Sequence, residues 1–461
     1  TIKGMNKTVV LNVVGLTNRL IGEHTPFIKL FLEKGASASI EPVLPAVTCT
    51  SQTTYLTGKW PAEHGIVGNG WYFKDECEVK FWRQSNKLTQ SDKLWDDMKQ
   101  LNSDFTCANL FWWYNMYSTV DYSVTPRPNY LADGRKIPDI YSHPPELRDQ
   151  LQQELGVFPL FNFWGPKTSV KSSQWIADAA IKTDQLHDPT LTLVYLPHLD
   201  YNLQRYGIDF SQISKDLNEI DELVKKLVSY YDNENTNIVL LSEYGITNVN
   251  NPIHINRILR SEGLITIREE RGLELLDTGA SKAFAVADHQ IAHIYLNDHT
   301  VKNEVKELLK GIKGVEKVLS NNELEEAHLN HDRCGDLLLI ADKNSWFTYY
   351  FWMDDEKAPD YARMVDIHKK PGYDPVEMFT DPEDKFVMPK VILKLLKKKL
   401  GFRTVMNIIP LKANLVKGSH GRIPEDQSDY PVFITNKKVS LKQDLFKSTE
   451  VYQLIAKLLT G

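Results

Sequence analysis

The run Val9–Val14 is apolar except for Asn12 and ends at Gly15. A stretch apolar at successive positions has no face to give to water, so it reads as a strand buried on both sides, the pattern of a central parallel strand. Thr190–Leu196 (TLTLVYL) and Asn237–Leu241 (NIVLL) repeat it. Between those two, Ile213–Tyr231 sets apolar residues at helical spacing among charged ones, and about Thr25–Lys34 does the same with Phe27, Ile28, Leu30, Phe31 and Leu32. Strand, helix, strand in that order predicts a βαβ architecture. After about residue 265 the texture changes. Ala285–Asn297, the charged helix Val301–Leu309 and Asp336–Ala341 make a compact β-α-β pattern. Residues 265–365 therefore read as a small insertion or subdomain, and 5–264 with 366–461 as the main core. Lys390–Lys399 (KVILKLLKKK) is a basic amphipathic stretch, read as a solvated surface helix in preference to a membrane-surface contact.

Composition narrows the partners. With 461 residues, 42% hydrophobic and 25% charged, the chain is ordinary globular protein, long enough for one large domain with an insertion or for two to three smaller ones. A net charge of -6 argues against a nucleic-acid polymer as partner. A phosphate-bearing substrate then needs a local positive focus, such as bound metal. Cys49, Cys77, Cys107 and Cys334 are scattered and form no C-x-x-C pair, which excludes a disulfide framework or cysteine-rich zinc module and fits a reducing compartment. No run has the length of a membrane span, and no apolar leader segment precedes the first strand, so the expected location is cytoplasmic. Thr1–Gly4, ahead of Met5, reads as an appended leader.

In α/β folds ligands sit at the carboxyl ends of parallel strands. Here those ends are followed by Gly15–Leu16, Pro197–Asp200 and Glu243–Tyr244. The segment richest in chemistry is Pro45–Trp71 (PAVTCTSQTTYLTGKWPAEHGIVGNGW). Thr48 precedes a predicted helix Thr50–Leu56, and a hydroxyl nucleophile gains there from free backbone N–H groups and the helix dipole. Taken alone, Thr48 reads as an ordinary N-cap, and Asn69, between Gly68 and Gly70, as a turn residue.

The ordered set changes that reading. Gly15–Leu16, Thr48, Thr57–Gly58, Pro61, His64–Gly65–Ile66, Asn69, Asp200, Tyr206–Gly207, Ser242, Gly245 and Gly418–Ser419–His420–Gly421 follow one another along the chain. This resembles the type I phosphodiesterase/nucleotide pyrophosphatase family of the alkaline phosphatase superfamily, over residues 8–260 and again after about 405. The resemblance implies an α/β, alkaline-phosphatase-like core with a mainly parallel sheet flanked by helices, plus a small α+β insertion. It also implies metal-dependent hydrolysis of a phosphodiester or nucleotide pyrophosphate through a phospho-threonine at Thr48, with Asn69 donating to a phosphoryl oxygen. One or two divalent ions are expected, zinc foremost and manganese or magnesium as alternatives, with a small phosphorylated substrate, a nucleotide among the options.

The ligand positions depart from the family pattern. Where the family ends strand one with Asp-Gly, this chain has Val14–Gly15, leaving Asn12 as a substitute ligand or as a buried amide bonded to backbone. The family's Asp with His four residues on is Asp200 and Gln204, and its Asp-His-Gly is Glu243–Tyr244–Gly245. Asp200, Glu243 and His420 are retained or chemically similar ligands; Asn12, Gln204 and Tyr244 are the altered positions. Added oxygen donors favour manganese or magnesium. Replacing three ligands at once also admits a weakened or inactive relative that binds phosphate or nucleotides, and a phosphonate or phosphomonoester hydrolase is a further option. His198, two residues before Asp200, would share its side in an extended segment. His198, His254, His289 and His368 read as structural or outer-layer partners. Trp71 and Tyr72, close behind Asn69, are candidates for leaving-group contact, whereas the block Phe111–Tyr117 reads as packing. Lys369, Lys370 and Arg422 are candidate phosphate contacts.

Overall fold

The computed structural model describes residues 4–437 and 441–461; Thr1–Lys3, on which most of the leader reading rests, lie outside the described residues. The apolar runs become the centre of a nine-stranded sheet. Its strands are β1 (Thr8–Val13), β2 (Ala36–Glu41), β3 (Cys107–Leu110), β4 (Tyr122–Pro126), β5 (Ile140–His143), β6 (Leu191–Leu196), β7 (Asn237–Leu241), β8 (Val432–Thr435) and β9 (Leu445–Lys447). Across the sheet they run β9-β2-β8-β7-β1-β6-β3-β4-β5. The five from β7 to β4 are mutually parallel, while β8 is antiparallel to both its neighbours and β5 to β4. β1, β6 and β7 have every residue buried, as strands covered on both faces must. Thr8 of β1 pairs with Leu191 of β6 and Asn237 of β7, so the carboxyl ends of all three open on one edge.

Four helices matter below. Helix α1 (Thr48–Thr57) starts two residues earlier than the sequence suggests, with Val47 as its N-cap and Thr48 as its first helical residue, so Thr48 is not the cap. Helix α2 (His198–Tyr206) follows β6 after one residue, and α3 (Phe210–Tyr231) returns the chain towards β7. Helix α4 (Val387–Lys399) lies near the C-terminal return to the sheet.

The 265–365 stretch differs from the compact β-α-β expectation. It holds a four-stranded antiparallel sheet, with Ala283–Asp288, Ile291–Leu296, Leu337–Ala341 and Val315–Ser320 side by side in that order. The apolar run expected as one unit splits at His289–Gln290 into a hairpin, where His289 takes a φ of 60°. Side chains of this sheet, Phe284, Val286, Ile291 and Leu338, form a second core with Cys49, Ile66, Val67, Trp71 and Tyr72.

Candidate active site

Helix α1 is wholly buried although seven of its ten residues are polar. Its hydroxyls resolve the conflict locally: Thr53, Thr54 and Thr57 donate to the carbonyls of Cys49, Thr50 and Thr53, one turn back. His64 staples the helix to the loop behind it, pairing Nε2 with Thr54 Oγ1 at 2.9 Å and accepting the Ile66 N–H at Nδ1. Gly58 ends the helix at φ 66°, in the left-handed region. The Thr-Gly and His-Gly-Ile positions are thus scaffolding that presents Thr48 at the N-terminus of a fixed helix.

Thr48 lines a cleft together with Asp200, Gln204, Tyr244, His289 and His420. Tyr244 OH donates to Asp200 Oδ1 at 3.0 Å and lies 3.2 Å from Thr48 Oγ1. A phenol has one proton, so Thr48 is the donor to Tyr244 and the three groups form a chain, Thr48 to Tyr244 to Asp200. The His420 ring stacks on Tyr244 at 3.6 Å, and His420 Nδ1 donates to the Ala46 carbonyl at 2.7 Å. That bond places the proton on Nδ1 and leaves Nε2 with a free lone pair. Burial holds His420 neutral, down at about 3, and raises Asp200 to about 6 against hydrogen bonds from Tyr244 and Gln204.

Glu243 and Asn12 sit behind this layer. Glu243 Oε1 accepts from Asn12 Nδ2 at 2.7 Å and from Gln52 Nε2. Asn12 is in regular register opposite Tyr195 and Leu241, so no local re-registration brings it forward. Burial pushes the Glu243 carboxyl up to about 8. Two buried acceptor oxygens among the candidate ligands, Asn12 Oδ1 and Gln204 Oε1, have no hydrogen-bond partner, and Glu243 Oε2 is unpartnered as well. Each bare acceptor costs about 1–3 kcal/mol, and a hard divalent cation is a partner that relieves it.

Asn69 is one step removed from the cleft. Its Oδ1 accepts the Cys49 N–H of α1 at 3.0 Å, and Asp288 accepts both its backbone N–H and its Nδ2. Its remaining amide proton goes to Tyr373 OH at 3.3 Å, and Tyr373 itself lines the cleft and meets His289 Nε2 at 3.1 Å.

Several sequence expectations change. His198 and Asp200 do not share a side, because they lie on helix α2, where a spacing of two turns side chains to opposite faces. His198 faces α3, with Nε2 3.3 Å from Asp216 and 3.8 Å from Glu219. Among the described residues these three are the one group of three or more His, Cys, Asp or Glu side chains with ligand atoms within 4.8 Å of one another. His289 enters the cleft with its ring 4.0 Å from His420, closer than an outer-layer role implies. Trp71 and Tyr72 belong to the second core and do not line the cleft. Trp113, from the block read as packing, does line it, with Trp82, Phe163, Trp164, Tyr195 and Tyr201. His368 packs beside Trp113, and His254 bonds Thr348. Lys370 is paired with buried Glu377, Arg422 with Glu316, and Lys369 covers the Tyr130 ring, so none of the three faces the cleft. The signals missed were Asp288, Tyr373 and Gln52, which no local motif marks.

Residues 8–374 match the model of the type I phosphodiesterase / nucleotide pyrophosphatase family. The chain belongs to this family. It is 23% identical over 321 residues to an ectonucleotide pyrophosphatase/phosphodiesterase of Caenorhabditis elegans, covering 68% of this chain and 36% of that one. It is 23% identical over 268 residues to ectonucleotide pyrophosphatase/phosphodiesterase 2 of Saccharomyces cerevisiae, covering 53% and 48%. The chain thus spans half or less of these relatives' lengths. Among solved structures, the inactive murine ectonucleotide pyrophosphatase/phosphodiesterase 5 in complex with AMP aligns at a TM-score of 0.60 and 14% identity, over 98% of this chain and 94% of that one. Phosphonoacetate hydrolase from Sinorhizobium meliloti in complex with phosphonoformate aligns at 0.62 and 14%, over 99% and 96%. These two share the alkaline-phosphatase-like α/β fold of this family member.

Proposed function

We propose that the protein hydrolyses a phosphodiester or nucleotide pyrophosphate bond with Thr48 as nucleophile. The observation that carries this is the chain Thr48–Tyr244–Asp200 at the mouth of the buried helix α1. In the first step Thr48 Oγ bonds to phosphorus as the bond to the leaving oxygen breaks. The Thr48 proton passes to Tyr244, whose own proton passes to Asp200. The positive end of the α1 dipole favours the developing phosphoryl charge. The proton held by Asp200 then leaves on the departing oxygen, and water attacks the phospho-threonine, its hydroxyl joining phosphorus in the product while its other proton returns to Thr48. The aromatic wall of Trp82, Trp113, Trp164 and Tyr373 suits an apolar or nucleobase-bearing leaving group.

The donor set fits a divalent ion. Asp200, Gln204 and His420 would hold one on the cleft wall, with Thr48 beside it and Asn12 and Glu243 in the layer behind. The preponderance of oxygen favours manganese or magnesium over zinc. When bound, such an ion neutralises phosphoryl charge and acidifies a coordinated hydroxyl.

A second reading, a binding protein with little turnover, is favoured by the three altered ligand positions, Asn12, Gln204 and Tyr244. Hydrolysis of bis-(p-nitrophenyl) phosphate, with and without chelator and with manganese, magnesium or zinc restored, separates the two. We expect chelator-sensitive activity that falls at least about 10³-fold in Thr48→Ala and about 10²-fold in Tyr244→Phe. Wild-type activity in Thr48→Ala sinks the nucleophile assignment. No turnover with any metal, alongside calorimetric binding of AMP, establishes the second reading.

A further inference from the structure

Helix α4 presents its apolar side outward. Val391 is its one buried residue, and on the same inward side Lys394 donates to the Val405 carbonyl at 2.6 Å. Turned away from that side are Ile392, Leu393, Leu396 and Leu400, with Phe402 just beyond, and Ile392, Leu396 and Leu400 are 52%, 52% and 73% exposed. A water-facing helix places its charges outward, and a contiguous run of exposed large apolar side chains marks an interaction surface. The helix lies at the surface, as the sequence suggests, but it turns apolar side chains to solvent.

Charge identifies the occupant. From Lys385 to Arg403 there are seven basic residues and no acidic one, in a chain whose net charge is -6. Lys390 is paired with Asp384, whereas Lys385, Lys397, Lys398, Lys399 and Arg403 make no ion pair among the described residues. We propose that α4 and its flanks are a docking face for an anionic lipid bilayer, lying in the interface with the apolar side among the acyl chains and the lysines at headgroup level. Lysines bordering an apolar stripe extend their stems along it and keep their ammonium groups at the phosphates. A second copy of the chain suits the face poorly, since a symmetric pairing would bring the two basic clusters together. The helix lies on the membrane rather than spanning it: no helix among the described residues is long and apolar enough to cross. In sequence the segment lies between Tyr373 and His420, two residues of the cleft wall.

Co-sedimentation of the full chain with phosphatidylcholine vesicles, with and without phosphatidylglycerol, tests this independently of any catalysis. We expect partitioning onto the anionic vesicles that weakens with salt and falls at least about tenfold in Ile392→Asp/Leu396→Asp, both exposed positions whose change leaves the core intact. Lys397→Glu/Lys398→Glu/Lys399→Glu should remove the preference for phosphatidylglycerol. The proposal is overturned if wild type stays in the supernatant with both vesicle types, or if the aspartate variant pellets equally. It is also overturned if light scattering shows a wild-type dimer that the aspartate variant makes monomeric.

Discussion

Lys93 is fully buried with no hydrogen-bond partner for Nζ, which lies 5.2 Å from the Trp95 ring and 5.8 Å from that of Tyr114. Burial pulls its pKa down to about 7. The unfolded chain keeps a lysine protonated to about pH 10.4, so between pH 7 and that value the unfolded state binds the extra proton. The resulting penalty on the fold is nearly full at pH 7 and fades as pH rises. Lys93→Met should therefore stabilise the protein by roughly 2–4 kcal/mol at pH 7 and by little at pH 10. Urea denaturation at the two pH values measures this, and an equal effect at both would refute it. The orphaned oxygens of Asn12, Gln204 and Glu243 are the site's counterpart: groups that packing alone leaves unsatisfied and that ligand chemistry can complete.

Among the elements, the contact between α2 and the short strand Gly418–Ser419 sets the cleft's geometry. Asp200 and Gln204 ride on α2, His420 follows the strand, and Lys417 N–H donates to the Gln204 carbonyl at 2.9 Å. A Cβ on Gly418 would lie 2.0 Å from the Leu203 carbonyl oxygen, a backbone atom that no rotamer change can move aside. Gly418→Ala should destabilise by about 3 kcal/mol and cut diesterase activity even where the protein remains folded, because the strand can yield only by carrying His420 away from Asp200. Thermal unfolding and kcat on the same sample test it, and unchanged values for both would show the strand to be free.

At the scale of the whole molecule, the cleft is assembled from chain segments far apart in sequence, among them those around Thr48, Trp113, Asp200, Tyr244, His289, Tyr373 and His420, with Asn69 and Asp288 one step behind. The antiparallel sheet contributes through one hairpin. Its Asp288 holds Asn69, and Asn69 in turn holds the first turn of α1. Asp288→Ala leaves two buried donors of Asn69 unpaired, so a loss of about 1–3 kcal/mol is expected, with kcat at least about tenfold lower. A variant with normal kcat would mean that the hairpin packs on the site without positioning it.

Read alone, the sequence determined the strands and the motif order. Val9–Val13, Leu191–Leu196 and Asn237–Leu241 are apolar without interruption on either face or nearly so, and only the middle of a parallel sheet buries such a segment. The hydroxyl-rich run from Thr48 and the retained Asp200, Glu243 and His420 likewise located one edge of that sheet. What the tertiary structure decided depends on partners distant in sequence. His198 turns from the cleft because its segment is helical, and His289 enters it because a separate sheet delivers a hairpin there. Trp71 and Tyr72 are claimed by a second core. The apolar face of α4 could be read as amphipathic from its spacing, but spacing reports a period and not a direction. Which side meets the protein is settled by the packing of Val391 and the bond from Lys394 to the Val405 carbonyl.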